Sequence, residues 1–171
     1  LPLIQKSIAE FEASDWIPYR KLIDENTEAV MIAHLLAPSI DQGNPSSLSR
    51  QNIELLKSRL GFKGTVFSDA LNLKALNINN TKTNAQLCLE AYEAGCDFLC
   101  FAEDIPEAIN LISTLDPALI NSRYQKVQGL KEQYSVLEQH KELRTYNIDD
   151  YHTQIASKLI ALIDGASNWN T

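Results

Sequence analysis

Apolar residues are arranged in two different ways along the first 130 residues, in short runs and at helical spacing. Short, largely apolar runs occur at residues 29–35, 65–68 and 97–101, and runs of this length are typical of strands buried on both faces. Between them, for example at residues 53–60, apolar side chains recur every three or four positions, as on one face of a helix. Strands that alternate with helices in this way predict an α/β fold with a parallel sheet.

Capping residues mark the expected helix boundaries. Side chains that can accept a hydrogen bond from a first-turn amide predict helix starts at Asp15, at Ser47 or Ser49, at Thr83, at Asp104, at Asp116 and at Ser122. Gly61 and Gly95 are predicted to lie just beyond helix ends, where a left-handed residue is common.

The last third of the chain contains helical patterns only. Val127, Leu130, Tyr134 and Leu137 predict one face of a long charged helix, and residues 150–163 predict a second amphipathic segment. The sequence thus supplies about three parallel strands, and three strands cannot close a barrel. We therefore expect either undetected strands or a part of a larger fold.

Asp69 stands at the far end of the second predicted strand, directly after Thr65–Ser68. Reacting groups in parallel α/β folds lie where strands end, so this carboxylate is a candidate for chemistry. A structural role, as a helix cap or a strand-end carboxylate, is the alternative for an aspartate at this position.

Composition excludes several classes of function. The net charge of −7 and the pI near 4.9 argue against binding to nucleic acid or to an anionic membrane surface. No apolar run reaches the roughly 20 residues of a membrane-spanning helix. Cys88, Cys96 and Cys100 fit neither a disulfide framework nor a zinc site, so we expect buried reduced thiols, which favour the cytoplasm.

Four segments, AVMIAHL, PSSLS, LKSRLGFKGTVFSDALNLKAL and EAGCDFLCF, occur in this order between residues 29 and 101. In order and spacing they resemble the catalytic barrel of family 3 glycoside hydrolases, and within it the β-N-acetylhexosaminidase branch. The resemblance covers roughly residues 1–130. It implies that residues 1–145 are the C-terminal part of a (β/α)8 barrel, about its last three β/α units, followed by a C-terminal helix and a tail or linker start at 146–171.

The resemblance also implies roles for particular residues. Asp69 matches the nucleophile of a retaining mechanism, and Met31 and His34 match strand positions that face the sugar. The implied substrate carries a terminal β-linked N-acetylglucosamine, and the implied partner is the remainder of the barrel, in an upstream chain or fragment. No cofactor, metal, nucleic acid or membrane is implied.

Two departures from the family pattern stand out. Ala70 and Leu73 replace an aspartate and a methionine that are frequent in the hexosaminidase branch. The Lys-His pair, and the Gly-His-Gly loop that leads to the Asp-x-His acid/base, do not precede Asp69 in this sequence. That loop would end just before Leu1, so we expect these residues alone to be inactive. His140 and His152 lie on predicted helical segments outside the motif.

Three other hypotheses remain open from the sequence. The whole protein could be a β-glucosidase or xylosidase of the same family. It could be a non-catalytic barrel remnant that acts as an interaction module. It could also be an unrelated small α/β binding domain of flavodoxin-like type, which would fold alone as a monomer.

Overall fold

The computed structural model of the chain describes residues 1–77 and 81–135. Leu1–Gly129 form one compact unit, and of the second unit, Leu130–Thr171, only the end of a helix is described. The predicted amphipathic segment at residues 150–163 lies outside the described residues, as does Leu137.

The described residues combine helices with a parallel pair of strands, which confirms an α/β structure. In chain order they are helix α1 in three contiguous segments (Ile8–Glu10, the π-helical Phe11–Asp15 and Trp16–Asp24), strand β1 (Ala29–Ile32), helix α2 (Arg50–Ser58), strand β2 (Thr65–Ser68), and helices α3 (Asn84–Ala94), α4 (Ile105–Ile112) and α5 (Pro117–Ser135). Single 3₁₀ turns, Ser46–Leu48 and Lys74–Leu76, precede α2 and follow β2.

Strands β1 and β2 pair in parallel, with Ala29 opposite Thr65 and Ile32 opposite Ser68. The prediction of β2 is confirmed at both ends. Strand β1 is shorter than the predicted run of residues 29–35, because beyond Ile32 the chain leaves β2. Leu36 forms a parallel bridge with Leu3 instead.

The prediction of a third strand from Asp97 to Phe101 is wrong. This segment forms only an isolated bridge, between Phe98 and Phe67. Hydrogen bonds explain why the ladder stops there. The Ser68 amide donates to the Phe98 carbonyl over 2.9 Å, but the Cys100 amide donates to the Ser68 side-chain oxygen over 3.0 Å. Phe101 then has a φ of 54°, a left-handed conformation that ends an extended segment.

Most of the predicted helix caps are confirmed. Ser49 caps α2, the Thr83 side chain and Gln86 form a capping box at the start of α3, Asp104 caps α4, and the Asp116 carboxylate accepts from the Ala118 amide in the first turn of α5. Gly61 and Gly95 follow α2 and α3 with φ values of 76° and 125°.

Two predicted helix starts are wrong. Asp15 lies inside α1 with helical backbone angles, and Ser7 caps the helix in a reciprocal box with Glu10. Asp15 instead accepts a hydrogen bond from Lys6 over 2.6 Å. The start predicted at Ser122 lies inside α5, which begins at Pro117.

The larger hydrophobic core lies between the sheet and helices α2, α3 and α4, and its fully buried members include Ile53, Val66, Leu71 and Cys88. A smaller cluster of Phe11, Trp16 and Ala37 packs under α1. Among the described residues, no helix combines the length and the apolar character needed to cross a membrane.

Candidate active site

Asp69 is the first residue after β2, at the carboxyl end of the sheet. Its amide donates to the carbonyl of Ile32 over 3.1 Å, which fixes its backbone against the end of β1. Its Oδ1 accepts a hydrogen bond from the amide of Ala70 over 2.8 Å, and no described residue donates to Oδ2. One carboxylate oxygen is therefore held in place, and the other accepts no hydrogen bond from a described residue.

Cys100 lies beside Asp69 at the same end of the sheet. Burial, and then the negative charge of Asp69, raise the pKa of the Cys100 thiol. The Cys100 carbonyl accepts a hydrogen bond from the amide of Leu71 over 3.0 Å, so the segment after Phe98 and the turn after Asp69 are tied together. Cys88, Cys96 and Cys100 are free thiols; Cys88 and Cys96 are buried as predicted, whereas Cys100 is only partly buried.

His34 is buried behind Asp69, with 6% of its surface exposed. Its Nε2 lies 2.9 Å from the carbonyl oxygen of Ala70, and its Nδ1 lies 2.5 Å from the hydroxyl oxygen of Ser47. A carbonyl can only accept, so Nε2 carries the proton. In the neutral imidazole, Nδ1 then accepts from the Ser47 hydroxyl. Both ring nitrogens are thus bonded within the chain.

The loop between β1 and α2 is organised around Asp41. Its carboxylate accepts hydrogen bonds from the amides of Gly43 and Asn44, and from the hydroxyl of Ser49 over 2.7 Å. Partial burial by itself raises the pKa of Asp41, but these hydrogen bonds outweigh it and hold the pKa below the usual value. The ordered loop places the Ser47 hydroxyl within hydrogen-bonding distance of His34.

Met31 lies opposite Phe67 in the sheet and is 59% exposed. The Phe67 ring stacks on the Phe98 ring with centroids 4.5 Å apart, and side chains alternate along a strand, so Asp69 continues the face that Met31 and Phe67 share. Met31 also lines a cavity of about 350 Å³ that lies between α1, β1 and α2 and that Asp69 does not line.

Among the described residues, no imidazole or second carboxyl side chain is hydrogen-bonded to the Asp69 carboxylate. Within residues 1–77 and 81–135, no three His, Cys, Asp or Glu side chains cluster so as to hold a metal ion. The tripeptide Asp150-Tyr151-His152 has the Asp-x-His spacing, but no Gly-His-Gly precedes it and it lies outside the described residues.

The predictions from the sequence do not include three parts of this site. They treat Ser47 as a candidate helix cap and Cys100 as a buried thiol, and they give Asp41 no role. A signal existed for Asp41, because an aspartate followed by Gly-Asn is typical of a side-chain-stabilised turn. No local signal pairs His34 with Ser47.

The family model described as the glycosyl hydrolase family 3 N-terminal domain matches residues 1–140. A β-hexosaminidase from Nitrosomonas eutropha is 29% identical over 140 residues, which are 79% of this chain and 39% of that protein. A β-hexosaminidase from Chromobacterium violaceum is 32% identical over 118 residues, which are 68% of this chain and 32% of that protein.

The structure resembles that of a glycoside hydrolase family 3 β-N-acetylglucosaminidase from Paenibacillus, with a TM-score of 0.72 and 25% identity over 80% of this chain and 28% of that one. The chain therefore spans 39% or less of each of these three proteins. The family match extends over most of the chain, from residue 1 to residue 140 of 171. This chain belongs to the family of the glycosyl hydrolase family 3 N-terminal domain.

Proposed function

We propose that this chain is part of a retaining β-N-acetylhexosaminidase in which Asp69 is the nucleophile. The observation that carries the proposal is the asymmetric bonding of the Asp69 carboxylate at the carboxyl end of the sheet. Oδ1 is held by the Ala70 amide, while no described residue donates to Oδ2. A carboxylate with one oxygen oriented and the other free is arranged for attack on an electrophilic carbon.

In the proposed reaction, Asp69 Oδ2 attacks the anomeric carbon of a terminal β-linked N-acetylglucosamine. The bond to the leaving oxygen breaks, its electron pair goes to that oxygen, and an acid supplies the proton. The product of this step is a glycosyl ester on Asp69. Water then attacks the same carbon and gives a proton to the conjugate base of the acid, the ester bond breaks, and the carboxylate is restored with net retention of configuration.

The acid/base is proposed to come from the part of the enzyme that this chain does not span. The chain covers 39% of its Nitrosomonas relative, and the Gly-His-Gly loop does not occur in its sequence. Without a proton donor the leaving oxygen would have to depart as an alkoxide, which is a poor leaving group. Turnover therefore needs both this chain and the part of the enzyme that supplies the acid.

For the fold, we propose that residues 1–145 supply about the last three units of a (β/α)8 barrel and that 146–171 form a C-terminal helix and a tail or linker start. Large apolar side chains are exposed along α1, where the neighbouring barrel units would cover them. They are Ile17 at 44%, Tyr19 at 46% and Leu22 at 56% exposure. The proposed partner of this face is the remainder of the same barrel.

For the substrate, the similarity to proteins named β-hexosaminidase and β-N-acetylglucosaminidase supports the proposal of N-acetylglucosamine rather than glucose or xylose. Met31 is proposed to face the sugar, because it shares the sheet face of Asp69 and is exposed. The proposed sugar contact of His34 has less support, since a direct contact would need one of its two hydrogen bonds to break.

Kinetics of the full-length protein on an aryl N-acetyl-β-glucosaminide test the proposal. Asp69→Asn removes the nucleophile and should lower kcat by at least about 10⁴-fold. Asp104→Asn is the matched control, because asparagine still caps α4 and activity should stay unchanged. With Asp69→Gly, azide should restore turnover and release the α-glycosyl azide. A full-length protein that is inactive on this substrate and on aryl glucosides and xylosides would favour the interaction module.

A further inference from the structure

We infer that His34 is a positioning residue for the nucleophile, acting through the main chain of Ala70 and not through the sugar. The inference deepens the proposed function and rests on it. It starts from the turn that follows Asp69, where the same residue, Ala70, receives a hydrogen bond from His34 and gives one to the nucleophile.

The peptide unit between Ala70 and Leu71 is held from both sides. Its carbonyl oxygen accepts from His34 Nε2 over 2.9 Å, and its amide donates to the Cys100 carbonyl over 3.0 Å. Leu71 itself is fully buried, so the turn has a fixed anchor in the core. With this peptide fixed, the Ala70 amide keeps its direction toward Asp69 Oδ1, 2.8 Å away.

The other ring nitrogen of His34 selects the tautomer that the turn needs. Ser47 is fully buried, and its hydroxyl lies 2.5 Å from Nδ1. A hydroxyl that donates to Nδ1 leaves the proton on Nε2, where it can be donated to Ala70. Ser47 is in turn held by the loop that Asp41 organises through Ser49.

Because His34 and Ser47 are both buried, the hydrogen bonds of the His34 ring are costly to break. Ser47 is 0% exposed and His34 is 6% exposed, so water cannot replace a lost partner at low cost. A small displacement of the Asp69 carboxylate is enough to slow attack, since misplacement by about 1 Å can cost about 100-fold in rate. His34 therefore affects the reaction without touching a reacting atom.

Two isosteric variants of the full-length protein separate the two bonds. In His34→Gln the amide nitrogen can reach the position of Nε2 and donate to Ala70, whereas His34→Asn reaches only toward Ser47. We expect kcat on an aryl N-acetyl-β-glucosaminide to fall about 100-fold in His34→Asn and about tenfold or less in His34→Gln, with KM changed by less than about threefold in both.

Other outcomes would overturn the inference. A direct sugar contact would raise KM in both variants and would weaken inhibition by free N-acetylglucosamine. A merely structural role would lower Tm and activity together and equally in the two variants. Normal kcat in His34→Asn, in an enzyme that Asp69→Asn inactivates, would reject the positioning role while the proposed function stood.

Amide hydrogen exchange tests the inference even if the full-length protein shows no turnover. The Ala70 amide should lose protection in His34→Asn and keep it in His34→Gln. The Val66 amide, bonded to Asp97 at the other end of β2, should stay protected in both and serves as the internal control. Unchanged protection of Ala70 in His34→Asn would contradict the inference.

Discussion

At the scale of single residues, the Cys96 thiol ionises at a different pH in the folded and the unfolded chain, so its ionisation affects stability. Burial, and then the charge of Asp97, raise the pKa of Cys96 to about 12, whereas an unfolded thiol titrates near pH 8.5. Above that pH the unfolded chain loses the proton and the folded chain keeps it. The free energy of unfolding should therefore fall as pH rises from about 8.5 toward 12, by up to about 1.4 kcal/mol per pH unit.

The variant Cys96→Ala isolates this contribution. Urea unfolding of the full-length protein at pH 8, 9 and 10 should show a steeper alkaline loss for the wild type than for the variant. Cys100→Ala is the control, because that thiol is less buried and its pKa is raised less. Parallel pH profiles for wild type and Cys96→Ala would contradict a buried protonated thiol.

The candidate site shows which residues a sequence can reveal. Asp69 is predicted as a candidate site residue because the signal lies in contiguous residues, a strand followed by a carboxylate within a recognisable motif. The bonding of His34 is not predicted, because Ser47 is 13 residues away and Ala70 is 36 residues away. Such pairs form only when strands and loops meet in the folded chain.

At the level of elements, Gly64 permits the close approach of the segments that begin β1 and β2. A Cβ on Gly64 would lie 2.4 Å from the main-chain oxygen of Glu28, the same oxygen that accepts from the Thr65 amide over 2.7 Å. We expect Gly64→Ala to lower the free energy of unfolding by about 2 kcal/mol or more, measured by urea denaturation.

Gly129 provides the matched control, since it lies within α5 and a Cβ there would meet nothing within 4 Å. Gly129→Ala should raise the free energy of unfolding by about 0.5–1 kcal/mol, because alanine loses less entropy in a helix. Equal effects of the two substitutions would show that the approach at Gly64 is not tight.

Helices were more predictable than strands in this chain for a physical reason. A cap such as Thr83 with Gln86 is satisfied within one turn, so its signal is local. A strand depends on its neighbours, and the predicted strand at Asp97 to Phe101 failed because Ser68 offers its hydroxyl in place of its carbonyl. The start at Asp15 failed because the cap at Ser7 lies earlier and its helix continues through a π-helical segment.

At the scale of the whole molecule, we propose that this chain is part of a barrel whose active site is completed by residues that the chain does not contain. Residues 1–171 expressed alone should therefore show no hydrolysis of an aryl N-acetyl-β-glucosaminide, while the full-length protein does. The exposed apolar face of α1 should make the isolated chain associate, as checked by light scattering. A monomeric isolated chain would favour an independent binding domain.

Activity of the isolated chain would also contradict the proposal, and one substitution would show where its acid lies. If His152→Ala abolished such activity, the Asp150-Tyr151-His152 tripeptide would be supplying the proton. His140→Ala is the control, because that histidine lacks the Asp-x-His spacing.

Trapping of the glycosyl-enzyme examines the proposed role of Asp69 in a single measurement. The full-length protein is incubated with a 5-fluoro derivative of N-acetylglucosaminyl fluoride, whose fluoride leaves readily while the 5-fluorine slows hydrolysis of the ester. Peptide mass spectrometry should then find one added glycosyl group on Asp69 and none in Asp69→Asn. An active protein that forms no ester, or that carries it on another residue, would contradict Asp69 as the nucleophile.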